Sequence, residues 1–159
     1  MSITQGADTY IELADADTYI ANLSDYATAW DALEDSEKEE YLKTATRYLD
    51  SKYMGRFVGE LYSDTQALSF PRIGDDIEGR DITGVYPVNL QYAQAEIAAR
   101  LSNDVDFFED LARGGDIKRE KVGPLETEYF NGSSSSTVFQ VIDALMKRYL
   151  LPAGNIVLR

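Results

Sequence analysis

The chain has 159 residues, 28 acidic and 15 basic, for a formal charge of −13, and it contains neither cysteine nor histidine. That composition excludes a disulfide framework, a thiol nucleophile, an ordinary structural zinc site, a Ser-His-Asp triad and an imidazole switch near neutral pH. With 44% hydrophobic residues, including eleven Tyr, six Phe and one Trp, the chain can bury one sizeable core and is no disordered acidic tail.

The pentapeptide Ala-Asp-Thr-Tyr-Ile occurs at Ala7–Ile11 and again at Ala16–Ile20, but one recurrence makes no repeat architecture. The first copy leads into the alternation Tyr10, Ile11, Glu12, Leu13 and predicts an extended segment. The second continues as Ala16, Tyr19, Ile20, Leu23, a helical stripe with Asp15 or Asp17 favouring its N-terminus. A short turn of helix is predicted over Thr28–Leu33, anchored by Trp30. The next helix should run from Ser36 to Tyr53. Ser36 and Glu39 match a Ser-x-x-Glu capping box, and Tyr41, Leu42, Ala45, Tyr48, Leu49 and Tyr53 recur at helical spacing. Lys38, Glu39, Lys43 and Arg47 fall on the other side.

From Met54 to Tyr86 the periodicity fails, broken by Gly55, Gly59, Gly74, Gly79, Gly84 and Pro71. A loop of this length inside a domain is expected to be functional or ordered by a partner. Within it Ala67–Arg72 reads as an apolar plug, with Pro71 biasing Phe70 towards an extended shape. Pro87 suits the first position of a helix reaching about Asn103. Leu90, Ala93, Ile97, Ala98 and Leu101 form one face, and Ala95 and Ala99 a second, small-residue strip for a close neighbour. Val105, Phe107, Phe108 and Leu111 suggest a further short helix or apolar lid before Gly114-Gly115.

Around Gly123-Pro124 the segments Ile117–Val122 and Leu125–Phe130 predict a hairpin, basic on its first arm and acidic on its second. Asn131–Ser136 is a flexible linker by composition. A last helix begins near Thr137, with Thr137 and Gln140 as a second capping box and Val138, Val141, Ile142, Leu145, Met146 and Tyr149 as its stripe. Pro152 and Gly154 end it, leaving Asn155–Arg159 as an apolar, positively ended tail. The expected fold is mainly α: a small helical bundle with a long interrupted loop, one β-hairpin and an extended C-terminal tail. Its divisions are a helical domain over 1–130, a linker over 131–136, and a helix and tail over 137–159.

Charge is uneven along this order. Residues 1–40 hold eleven acids against Lys38, a net of −10, so the remaining 119 residues net only −3. Arg113–Lys121 is locally basic, and everything after Asp143 carries only positive side chains, Lys147, Arg148 and Arg159. An acidic front and a basic back can steer the assembly of unlike surfaces. No basic start precedes an apolar run, and no apolar run approaches the roughly 18 residues of a membrane span, so the protein is expected to be soluble, without export or membrane contact.

Little in the sequence carries chemistry. Asp75, Asp76, Glu78 and Asp81 cluster beside Gly79, but their spacing does not match a calcium loop and no bidentate Glu follows, so no metal is assigned. The glycines are not gathered before a helix, which excludes a phosphate-cradling loop or dinucleotide fingerprint. No motif singles out a pair of carboxylates. The expectation is a protein that is no enzyme, with no cofactor and no catalytic residue. Tyr and Phe at helical spacing read as core rather than as base-stacking platforms, and only Arg113–Lys121 could touch phosphate.

Four stretches occur together and in order. They are the Ala-Asp-Ala-Asp-Thr-Tyr helix behind its Thr-Tyr-Ile opening, Ala-Thr-Arg-Tyr-Leu-Asp at Ala45–Asp50, Gln-Ala-Leu-Ser-Phe-Pro-Arg at Gln66–Arg72, and Lys118–Gly123 with Glu128–Phe130. Their combination, over roughly residues 8–130, resembles the head-to-tail connector or adaptor proteins of tailed phages, some of which are catalogued as DnaT-like single-stranded DNA-binding proteins. The resemblance implies a virion protein assembled in the host cytoplasm as a ring, commonly of twelve copies, between the portal and the tail stopper, terminator or tube. Double-stranded DNA would pass without tight binding, since carboxylates facing the lumen repel phosphate. Partner contacts are expected at Phe70, Pro71 and Arg72 in the loop, at Lys118, Arg119 and Lys121 on the hairpin, and at Asn155, Ile156, Val157, Leu158 and Arg159 in the tail, the last directed at the portal. The alternative is a DnaT-like single-stranded DNA-binding protein.

Overall fold

The computed structural model describes residues 3–105, 119–122, 125–128 and 140–152. Among the described residues there are five helices: α1 (Leu13–Ile20), α2 (Ala27–Asp31), α3 (Asp35–Tyr53), α4 (Val88–Leu101) and α5 (Gln140–Met146), the last continued by a 3₁₀ turn, Lys147–Tyr149. The same residues hold two antiparallel pairs: β1 (Glu60–Leu61) with β2 (Arg72–Ile73), and β3 (Arg119–Val122) with β4 (Leu125–Glu128). The mainly α expectation holds.

The organising element is α4. The other four helices all pack against it, and every residue from Ala93 to Ala99 is buried. A helix covered on several sides needs small side chains where its neighbours approach, which explains Ala93, Ala95, Ala98 and Ala99. The small-residue strip therefore serves neighbours within the chain. Pro87 stands one residue earlier than expected, at the N-cap.

Gln94 ties the bundle together. Its Oε1 accepts the backbone N–H groups of Tyr10 at 2.8 Å and Ile11 at 3.1 Å, while its Nε2 donates to the Leu42 carbonyl at 3.0 Å and the Thr46 hydroxyl at 2.9 Å. The segment around Tyr10 and Ile11, expected to be extended, is a bend after a turn at Gly6–Asp8, and one fully buried amide satisfies it and α3 at once. Beside it the Tyr10 hydroxyl donates to Asp50 and accepts the Ser69 N–H at 3.0 Å, fastening the long loop to α3.

At the start of α3 the expected capping box is displaced two residues upstream. Glu34 is the N-cap, and the Glu37 carboxylate accepts its N–H at 3.0 Å. Glu39 instead turns inward, 9% exposed, to accept the N–H of Ile3 at 3.3 Å. Lys38, also expected on the polar side, is 8% exposed: its ammonium meets Asp17 at 3.1 Å and lies 5.6 Å from the Trp30 ring centroid. The N-terminal segment and α2 lie over this turn, and periodicity within α3 carries no information about them.

The loop between α3 and α4 is ordered by its own chain. The Arg72 guanidinium donates to the carbonyls of Val58 at 2.6 Å, Gly59 at 2.7 Å and Ser69 at 3.2 Å. Gly59 takes φ +72°, and a Cβ there would stand 2.4 Å from the Ile73 carbonyl oxygen. Phe70, which precedes Pro71 through a cis peptide bond, is fully buried against the edges of Tyr10, Phe57 and Tyr149.

The last helix joins the same core through Ile142, Met146, Tyr149 and Leu150. Val141, expected in its stripe, is 48% exposed, while Ile142 and Met146 of the same helix are fully buried. In the hairpin, Arg119 stands opposite Glu128 and Lys121 opposite Glu126, the opposite-charge register that its two arms predict. Thr137, the linker 131–136 and the segment around Phe107, Phe108 and Leu111 lie outside the described residues.

Candidate functional site

Cations are best placed near the C-terminal ends of helices, where carbonyl dipoles favour positive charge. Two such ends converge here. The last turn of α3 and the residues after it supply Lys52, Tyr53 and Arg56, and α5 with its 3₁₀ turn supplies Asp143, Ala144 and Lys147. Between them lies a cavity of about 570 Å³ whose remaining walls are Ile77, Leu150, Leu151 and Pro152. Backbone bonds hold the two sides in place. Val58 N–H donates to the Tyr149 carbonyl at 3.0 Å, Leu151 N–H to Arg56 at 2.7 Å, and Ile77 N–H to Arg148 at 3.1 Å.

Asp143 sits within this group. Burial alone would raise its carboxyl, but hydrogen bonds from Lys52 at 2.8 Å and Tyr53 at 2.5 Å, with the charges of Lys52 and Arg56, hold it below the ordinary Asp range. Burial and the same carboxylate push the Tyr53 phenol well up, so it stays protonated and donating. Arg56 and Lys147 are exposed, and neither side chain has an ion-pair partner among the described residues. The wall thus sets three cations against one carboxylate, and among the described residues two of the three have no ion-pair partner.

The opposite pole lies at the other end of α3. Asp8, Glu12, Asp15, Asp25, Asp31, Glu34, Asp35, Glu37 and Glu40 are all exposed, while Lys38 is buried against Asp17 and Lys43 is paired with Glu40 at 2.9 Å. The charge asymmetry along the chain is therefore an asymmetry of the folded surface.

Of the sequence-predicted contact residues, Phe70, Pro71 and Arg72 line neither pole. Phe70 lies in the core and Arg72 is held by backbone carbonyls, so this fold does not offer that pair to a partner; Pro71 is half-buried beside them. Arg119 and Lys121 occupy β3, and Lys118 and Asn155–Arg159 lie outside the described residues. Lys52, Arg56 and Lys147 were not singled out by sequence. Their signal was the placement of cations at two helix ends, and only packing shows that those ends meet.

The acidic loop is internally satisfied. Burial works against the charge of Asp76, yet N–H donors from Glu78 at 2.9 Å and Arg80 at 3.0 Å, with the nearby Arg148, hold its carboxyl below the usual range. Arg148 also meets Glu78 at 2.5 Å. Among the described residues no three acids converge in a metal-binding group, and no helix is long and apolar enough to cross a membrane. The aromatic residues of α3 on its inner face, Tyr48 and Tyr53, are core, as their spacing indicates.

No curated protein and no solved structure matches the chain. A family model does, and it bears on the DnaT-like part of the resemblance, carrying no information about a portal, a tail protein or a ring. Its match runs over residues 2–159, which places the whole cavity and the whole acidic pole inside it; the chain belongs to the family described as "Putative DnaT-like ssDNA binding protein".

Proposed function

We propose that this chain is a non-catalytic structural protein of a tailed-phage virion, a head-to-tail adaptor that assembles as a ring between portal and tail and lets double-stranded DNA pass. The observation that supports this reading most is the acidic pole: nine exposed carboxylates over residues 8–40 with no exposed Lys or Arg among them. A surface of that sign repels phosphate, which suits a conduit and opposes a gripping groove. Asp8, Glu12 and Asp15, along the N-terminal segment and α1, are the carboxylates assigned to the lumen. The tail Asn155–Arg159 is assigned to the portal. Deletion of residues 153–159 should abolish portal attachment while sparing Leu151 and Pro152 in the cavity wall.

A second reading, single-stranded DNA binding, is favoured by the family description and by the available cations Arg56 and Lys147. One pair of measurements separates the two. Gel shifts with a single-stranded oligonucleotide at low and raised salt should show no tight complex, and mass spectrometry of purified virions should find the protein. Tight, salt-sensitive binding together with absence from virions would transfer the function to the second reading.

A further inference from the structure

Resting on the assembly just proposed, we infer that the cationic corner formed by α3 and α5 is the docking site for the acidic α2–α3 corner of a second copy of this chain. The occupant is chosen by charge and geometry. Arg56 and Lys147 lack ion-pair partners among the described residues, and Asp31 and Asp35 are exposed with no side-chain hydrogen bond or ion pair among them. These two pairs lie at opposite ends of α3, whose 19 residues separate them by roughly 27 Å at the standard helical rise. They cannot meet within one chain, so each copy presents one donor and one acceptor surface. A contact between unlike surfaces repeats from copy to copy, which is how rings are built.

The chemistry of the corner favours carboxylates over nucleic acid. Stacking a base needs an open aromatic face, and the aromatic residue on the wall, Tyr53, is 1% exposed with Lys52 lying 5.1 Å from its ring centroid. A guanidinium on a wall with an exposed apolar side chain, Ile77 at 49%, and with Leu150, Leu151 and Pro152 instead matches a protein contact, apolar with a charged rim.

The test uses the full chain in sedimentation velocity at low and raised salt. Wild type should associate at low salt and dissociate as salt screens the contact. Arg56→Glu with Lys147→Glu, and separately Asp31→Lys with Asp35→Lys, should each weaken association at least about tenfold. An equimolar mixture of the two variants should assemble again, because each then presents the sign that the other needs, and such rescue also shows that both are folded. A monomeric wild type at low salt, association indifferent to both double variants, or a mixture that stays apart would overturn the contact. So would an oligonucleotide complex that Arg56→Glu with Lys147→Glu abolishes, since the corner would then hold nucleic acid. Presence in virions is read independently: a virion protein whose association ignores these changes loses this contact and keeps the adaptor reading.

Discussion

Replacing Gln94 by Leu isolates the amide that joins the N-terminal segment to α3 and α4. The shape is nearly kept, but the N–H groups of Tyr10 and Ile11 lose their acceptor in a fully buried site. An orphaned buried donor costs about 1–3 kcal/mol. The Leu42 carbonyl is less exposed to loss, because the Thr46 hydroxyl also donates to it at 3.0 Å. Set against the apolar transfer gained by Leu, roughly 1–2 kcal/mol, the net loss is about 3 kcal/mol. For a chain of this size that lowers Tm by about 6–12 °C. Urea unfolding followed by fluorescence is well suited to this, since Trp30 is the single tryptophan and is fully buried. Gln94→Glu sharpens the reading. It keeps the acceptor but buries a carboxyl whose charged form burial disfavours, so its deficit should shrink as pH falls and the group protonates. A Gln94→Leu variant at least as stable as wild type would refute the accounting, because two orphaned donors at about 1 kcal/mol each already match the most that Leu can gain.

Three further substitutions test other joints of the structure. Glu37→Ala should destabilise α3 by roughly 1 kcal/mol by removing the acceptor at its N-cap, whereas Ser36→Ala should change thermal stability little; the reverse order would restore the box read from sequence. Gly59→Ala must strain a positive φ and push on the Ile73 carbonyl, while Gly55→Ala, at φ +74° with no atom within 4 Å of the added Cβ, meets only the conformational cost of about 1–2 kcal/mol. Thermal melts should therefore rank Gly59→Ala well below Gly55→Ala, and equal losses would count against the close approach. Asp143 has a folded pKa held below its ordinary 3.8, so its contribution is present above that value and lost as pH falls through the lower one. Asp143→Asn should accordingly be less stable than wild type at neutral pH, with the gap closing in acid; a gap that widened in acid would have the wrong sign.

Sequence by itself determined the helices, because each carries its own apolar period: Leu42, Ala45, Leu49 and Tyr53 set the inner face of α3, and Leu90, Ala93 and Ile97 that of α4. The register of the β3–β4 hairpin was equally legible, since Arg119, Lys121, Glu126 and Glu128 lie within one short stretch and pair across a single turn. The charge arithmetic, −10 in forty residues, also survived folding as an acidic surface. What it could not determine were matters depending on segments distant in sequence. Lys38 and Glu39 look solvated until Trp30, Asp17 and Ile3 are laid over them. Phe70 and Arg72 look available to a partner until Tyr10, Phe57 and Tyr149 enclose one ring and three loop carbonyls take the guanidinium. Gln94 has no signature, because its partners lie some fifty and eighty residues away. The cationic corner belongs to the same class: Arg56 and Lys147 are ordinary cations at two helix ends, and only the packing of α5 back onto the bundle makes them one site. Local periodicity records which face of an element is apolar, whereas the identity of what covers that face is a property of the tertiary structure alone.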